Sequence, residues 1–221
     1  MTRTFIFGLE EFYHVYNRGT DKRKIFLAKG DYARFVALLY LCNQAKRIEL
    51  TKSGIADAFN VVRDEQLVSI VAYCLMPNHF HLLLREKAEG GISLFMQKLT
   101  TAYTMYFNRK YGRSGGLFES TFKARHASED TYLKYLIAYI HLNPVKLIDH
   151  KWKENGIQDP VRAEEYLDNY RYSSYLDYSG KIRSENKIIN TRALPEYFES
   201  PKDFKASVTE WLNYKSLQEE V

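Results

Sequence analysis

LVSIVAYCLMPNHFHLLLRE, from Leu67 to Glu86, decides the fold. It holds two β-type apolar runs separated by Met76-Pro77-Asn78, a turn signal, so it predicts an antiparallel hairpin at the centre of a sheet. The second run spends two positions on imidazole, His79 and His81. In a strand, residues two apart share a face and lie about 7 Å apart, so both histidines project to one side while Phe80 faces the other. Two imidazoles so placed can converge on one ion when a third ligand arrives from elsewhere. Alone, such a triplet is more often a pair of half-buried sheet histidines held by hydrogen bonds.

Working outward, EFYHVYNRG reads as a first strand that turns polar and basic after Gly19. DYARFVALLYLCNQAKR has apolar residues at helical spacing, with Asp31 as N-cap. The mixed polar stretch between about Arg47 and Glu65 has no clear period and reads as a loop or insertion with room for a short helix. ISLFMQKLTTAYTMYFNRKYG returns to helical spacing, with Leu94, Phe95, Leu99, Tyr103 and Tyr106 on or near one face, and ends at the break GRSGG. LFESTFKARHAS supplies one more strand. SEDTYLKYLIAYIHLNPVK then reads as a helix capped by Ser128 and stopped by Pro144. Beyond about residue 150 the pattern loosens until a helical tail, PKDFKASVTEWLNYKSLQEE. The order strand, helix, hairpin, helix, strand, helix predicts an α+β fold: a ferredoxin-like sandwich with a central antiparallel sheet, helices packed on it and a partly helical C-terminal extension. We divide the chain into a catalytic domain, 1–178, and an extension, 179–221.

The chain has 221 residues, 45% hydrophobic and 27% charged, enough to bury a core. Thirty-two basic against 27 acidic residues give a net charge of +5, which permits a polyanionic partner without demanding one. Cys42 and Cys74 form no CxxC pair, so neither a disulfide framework nor a cysteine zinc site is expected. The longest apolar run, LVSIVAYCLM, is about half the ~20 residues that span a bilayer, and the amino terminus lacks a signal-peptide layout. The expectation is a cytoplasmic protein that engages no membrane.

In AYIHLNP, Tyr139 and Asn143 are four residues apart and share one helical face, so a hydroxyl and an amide oxygen are delivered together. Tyr132, Tyr135 and Tyr139 also read as a plain packing stripe. A tyrosine is only about 0.1% ionised at neutral pH and needs help to act as a nucleophile. A divalent ion held beside it could polarise a phosphodiester and orient its leaving oxygen. A phosphotyrosine ester would keep the energy of the broken bond, which makes strand transfer more natural than hydrolysis.

AYCLMPNHFHLLL, FMQKLTTAYTMYFNRKYGRSGGLFESTFKA, YLIAYIHLNPVK and YRYSSY, in this order and spacing, resemble the REP-associated tyrosine transposases, a branch of the HUH single-strand DNA transposases. The resemblance runs from about Tyr13 to about Tyr175. It implies a ferredoxin-like fold, a Mg²⁺ or Mn²⁺ ion held by His79, His81 and Asn143, and Tyr139 as the nucleophile, with Tyr135 one turn earlier as its rival. It implies cleavage of single-stranded DNA beside short hairpins through a 5′-phosphotyrosine intermediate. The stretch between Arg47 and Glu65 and the region after Ser179 depart from the common pattern.

Arg18, Lys22, Arg23 and Lys24 follow the first strand, and Arg109, Lys110, Arg113, Lys123 and Arg125 bracket the second glycine-rich loop. Such clusters suit a phosphate-tracking groove, with Phe118 and Phe122 available to stack bases of single-stranded or hairpin DNA. Two other readings stand beside the transferase: a non-catalytic nucleic-acid-binding module, and a nuclease that uses water and needs no tyrosine. The sequence leaves open whether Tyr139 acts within its own chain or is lent by the partner in a homodimer.

Overall fold

In the computed structural model, which describes residues 6–46 and 57–212, the chain runs β1 (Phe12–Arg18), α1 (Lys29–Leu41), β2 (Val68–Met76), β3 (His79–Glu86), α2 (Gly91–Tyr111), β4 (Lys123–His126) and α3 (Asp130–Leu142). Four shorter helices follow: α4 (Trp152–Asn155), α5 (Pro160–Asn169), α6 (Tyr175–Tyr178) and α7 (Pro201–Leu212). The strands form one antiparallel sheet in the order β2-β3-β1-β4, the α+β ferredoxin-like arrangement the sequence predicts. Among the described residues no helix is long and apolar enough to cross a membrane. Residues 47–56 of the polar insertion and 213–221 of the extension lie outside the described residues; within the rest of the insertion, Ala58–Asn60 make a short 3-10 turn.

The hairpin closes on Pro77 and Asn78, with Met76 opposite His79. It is not wholly central, since β3 is an inner strand but β2 is the sheet's edge. An uncovered edge exposes unpaired backbone groups. Here all nine residues of β2 are buried, because the chain after α5 lies along it. The Leu75 N–H donates to the Tyr172 carbonyl (2.9 Å), the Ser174 N–H to that of Tyr73 (3.0 Å), and the Asn190 N–H to that of Ile70 (2.8 Å).

Each face of the sheet has its own core. Phe35 of α1 and Phe95, Leu99 and Tyr103 of α2 meet Val15, Phe80, Leu82 and Leu84 on one face. Leu136, Ile137 and Ile140 of α3, with Tyr175 and Phe204, meet Cys74, Met76 and Leu83 on the other. β2 serves both by alternation, and a register slip between Ile70 and Ala72 shifts its phase: Val68, Ile70, Tyr73 and Leu75 join the first core, and Val71, Ala72, Cys74 and Met76 the second.

Several local expectations need correction. Asp31 is the third residue of α1, not its N-cap; its buried carboxylate reaches back to accept the N–H groups of Leu27 and Ala28 (2.8 and 2.9 Å). Burial opposes its ionisation, but hydrogen bonds from Lys110, Tyr111 and these two amides prevail and hold its pKa at about 2. Leu94 is exposed on the outer face of α2, whose buried apolar side chains are Ile92, Phe95, Met96, Leu99, Tyr103 and Phe107. Glu129 rather than Ser128 precedes α3, without a side-chain cap. Pro144 ends the α-helix, yet the chain continues as a 3-10 turn through Leu147, where proline's missing N–H leaves no helix bond broken. The stretch after residue 150 that reads as loose contains α5, begun by Asp159, which accepts the Arg162 N–H (3.0 Å), and by Pro160 at its first position.

Candidate active site

β3 alternates as the sequence requires, with Phe80 in the α1/α2 core and His79 and His81 on the α3 face. Their rings lie 5.0 Å apart, centroid to centroid, at right angles. β1 runs antiparallel beside them, placing His14 opposite Leu83, Tyr16 opposite His81 and Arg18 opposite His79. His14 therefore lies diagonally across from His81, and their Nε2 and Nδ1 atoms meet at 2.9 Å. Both imidazoles are buried. His14 is not among the residues the motifs single out, although the alternation Tyr13-His14-Val15-Tyr16 puts it on the face opposite Tyr13 and Val15.

α3 brings Tyr139 to this pair. Its ring stands edge-on to His81 (5.5 Å, 84°) and to His14 (6.0 Å, 77°). One turn later the Asn143 Nδ2 donates to the Tyr139 carbonyl at 2.8 Å, which leaves Oδ1 as the amide atom able to ligate. Tyr135 points elsewhere: its ring packs on Trp211 of α7 (5.3 Å) and on Tyr139 (5.7 Å). Burial pushes the Tyr139 phenol above its ordinary pKa, against a lowering by its hydrogen bond with Asn143, and pushes Tyr135 up to about 12. Both phenols are protonated at neutral pH. One chain thus brings His79, His81, Tyr139 and Asn143 together, using β3 and α3.

Among the described residues no cluster of three or more histidine, cysteine, aspartate or glutamate side chains could hold a metal ion. The donors present are two imidazoles and one amide. His79 Nδ1 lies 2.7 Å from Asn78 Oδ1, and Asn78 Nδ2 donates to the Lys22 carbonyl (3.2 Å), so Oδ1 accepts and the lone pair of His79 is on Nε2. Two imidazole nitrogens and an amide oxygen suit a loosely held divalent ion that completes its shell with water and phosphate oxygens.

Residues 13–143 match the family described as transposase IS200-like, which is more than half the chain. The chain belongs to the IS200-like transposase family. A Haemophilus influenzae protein named for the REP-associated tyrosine transposases is 25% identical over 153 residues, covering 60% of this chain and 87% of that one. The solved structure of a REP-associated tyrosine transposase bound to a REP hairpin superposes with a TM-score of 0.51 at 12% identity, covering 84% of this chain and 89% of that one. That likeness is one of fold.

In this member of the family the basic residues fall into two sets. Arg18 pairs with His79 across the strands, and Lys123 and Arg125 of β4 lie opposite Tyr16 and His14, so all three border the histidine face. Arg18 also bonds Glu119 (2.6 Å), and Arg125 lies over the Tyr132 ring (4.7 Å). Lys22, Arg23 and Lys24 follow on a loop that leans on the Leu117–Phe118 segment through the Thr20 N–H to Leu117 carbonyl bond. Arg23 bonds the Thr20 carbonyl and Asp21 of its own loop, whereas Lys22 and Lys24 are exposed. Arg109 and Lys110 belong to the last turn of α2, in the helical layer on the opposite face, and Arg113 follows just after it. Lys110 is engaged by buried Asp31, and Arg113 lies over Phe107 (5.7 Å). Neither phenylalanine offers a free stacking face: Phe122 is a buried core residue, and half-buried Phe118 packs on Phe80 (5.8 Å).

Proposed function

We propose that this chain cleaves and rejoins single-stranded DNA beside hairpins, with Tyr139 as nucleophile and a Mg²⁺ or Mn²⁺ ion held by His79, His81 and Asn143. The observation that carries this reading is the placement of Tyr139 edge-on against His81, with Asn143 one turn on. When bound, the ion would act as a Lewis acid on a phosphodiester oxygen and orient the 3′-oxygen. The residues do the rest. Arg18, Lys123 and Arg125 hold the DNA backbone along the site. The Tyr139 phenol gives up its proton to solvent as its Oη attacks phosphorus; the P–O3′ bond breaks, and the 3′-oxygen leaves and takes a proton from solvent. The 5′-phosphotyrosine is resolved when a 3′-hydroxyl attacks the same phosphorus and returns Tyr139. Tyr139 and the histidines stand together within one chain, which favours cleavage in cis.

The test is to incubate the protein with hairpin DNA labelled 3′ of the cleavage point and Mn²⁺, then denature it. Label that stays on the wild-type protein and is lost in Tyr139→Phe is the expected result. Cleavage that persists in Tyr139→Phe without bound label would make the protein a water-using nuclease. DNA bound but never cut, across a panel of hairpins, would make it a binding module.

A further inference from the structure

We infer that His14 is a positioning residue for His81: it accepts the hydrogen of His81 Nδ1 and so fixes the tautomer whose Nε2 carries the lone pair a metal needs. The inference rests on the metal-site reading above and adds a residue to it.

Two neutral imidazoles in contact through Nε2 of one and Nδ1 of the other, 2.9 Å apart, share a single hydrogen. If His14 supplied it, His81 would carry its own hydrogen on Nε2 and could ligate nothing through that atom. If His81 supplies it, Nε2 is left as a lone pair. His79 shows the same solution reached by other means, since its Nδ1 hydrogen goes to the Asn78 Oδ1, itself oriented by the Lys22 carbonyl. With His14 as acceptor, both histidines donate the Nδ1 hydrogen to a protein partner and carry the lone pair on Nε2. Such outer partners set ring orientation and ligand basicity at metal sites.

The surroundings hold His14 to the task. It is 1% exposed on an inner strand, where a polar ring is costly unless bonded. Its ring stacks on His81 (5.1 Å, 22°) and leans on Tyr16 (4.9 Å), while Tyr139 stands edge-on to it. The residue that sets the ligand thus also walls the nucleophile.

The first measurement is the tautomer of His81 in the metal-free wild-type chain, read by long-range ¹H–¹⁵N NMR on histidine-labelled protein. Hydrogen on Nδ1 is expected; hydrogen on Nε2 would overturn the inference whatever the activity. The second is Mn²⁺ affinity, measured by electron paramagnetic resonance for wild type, His14→Phe and His14→Gln. His14→Phe is expected to bind Mn²⁺ about 10–100-fold more weakly, and His14→Gln, which restores an acceptor, to recover most of the loss. Unchanged affinity in His14→Phe, or equal losses in both variants, would overturn it. If the wild type bound no Mn²⁺, the metal-site reading would fall, and the tautomer would still decide whether His14 is the acceptor.

Discussion

The two faces of the sheet are built from the same strands and do different work. On the α1/α2 face Phe80 packs against Phe35 (5.1 Å), which packs against Tyr103 (4.9 Å), in a largely apolar cluster whose tyrosine hydroxyls find partners, as Tyr103 does in the Ile25 carbonyl. On the α3 face, one residue along β3 in either direction, His79 packs on His81, which meets His14 and Tyr139, and Asn143 bonds the Tyr139 backbone. Buried polar groups are tolerated there because they bond one another or the backbone. The period of two lets a single strand commit one side to the fold and the other to chemistry.

That face is itself divided. His141, two residues after Tyr139, is fully buried among Tyr175, Tyr178 and Phe204, with Nε2 at 2.7 Å from the Ser174 Oγ. Its Nδ1 lies near the Ile137 carbonyl without closing a well-formed hydrogen bond. Burial lowers its pKa to about 3. It is an imidazole of the fold, set beside the imidazoles of the site.

The comparison can be broken by measuring stability on both sides of it. The largest effect is expected from Phe80→Ala, which empties the fully buried α1/α2 core and should cost about 3–5 kcal/mol in chemical unfolding. A cost under about 1 kcal/mol would mean that this face is not where the fold is held. His141 comes next. Its unfolded form takes up a proton near pH 6.5 and its folded form not until about pH 3, so the unfolded state holds more protons between these values. Stability should therefore be lost as pH falls through that window, by up to about 1.4 kcal/mol per pH unit from this group. The difference in unfolding free energy between wild type and His141→Gln, followed from pH 7 to pH 4, isolates the contribution; parallel curves would assign the acid sensitivity elsewhere. The smallest effect belongs to Tyr139→Phe, which removes one hydroxyl and should shift stability by about 1 kcal/mol or less while abolishing the covalent adduct. A large loss of stability there would erase the distinction between the faces.

Most of this organisation is legible in the sequence, and the gaps have physical reasons. The hairpin, its alternation and the spacing of Tyr139 and Asn143 are local periodicities, which a sequence displays directly. The partner of His81 lies 67 positions away and depends on strand register, which no local pattern states. The basic residues near the second glycine-rich loop look like one cluster because they are neighbours in sequence; the sheet sends Lys123 and Arg125 to the site and leaves Lys110 bound to Asp31. Phe122 looks available for stacking for the same reason, and the core takes it. The start of α5 was readable in Asp159-Pro160, an N-cap followed by proline, but the polar residues around it hide the helical period.

The most direct test of the account is to locate the bond to DNA. The denatured adduct formed with hairpin DNA and Mn²⁺ is digested with nuclease and trypsin and sequenced by tandem mass spectrometry. Cleavage after Lys134 and Lys146 yields one peptide, YLIAYIHLNPVK, that carries both Tyr135 and Tyr139, so fragment ions must separate them. The account predicts the phosphonucleotide on Tyr139, beside His81 and His14. A modification on Tyr135, packed against Trp211, would contradict it.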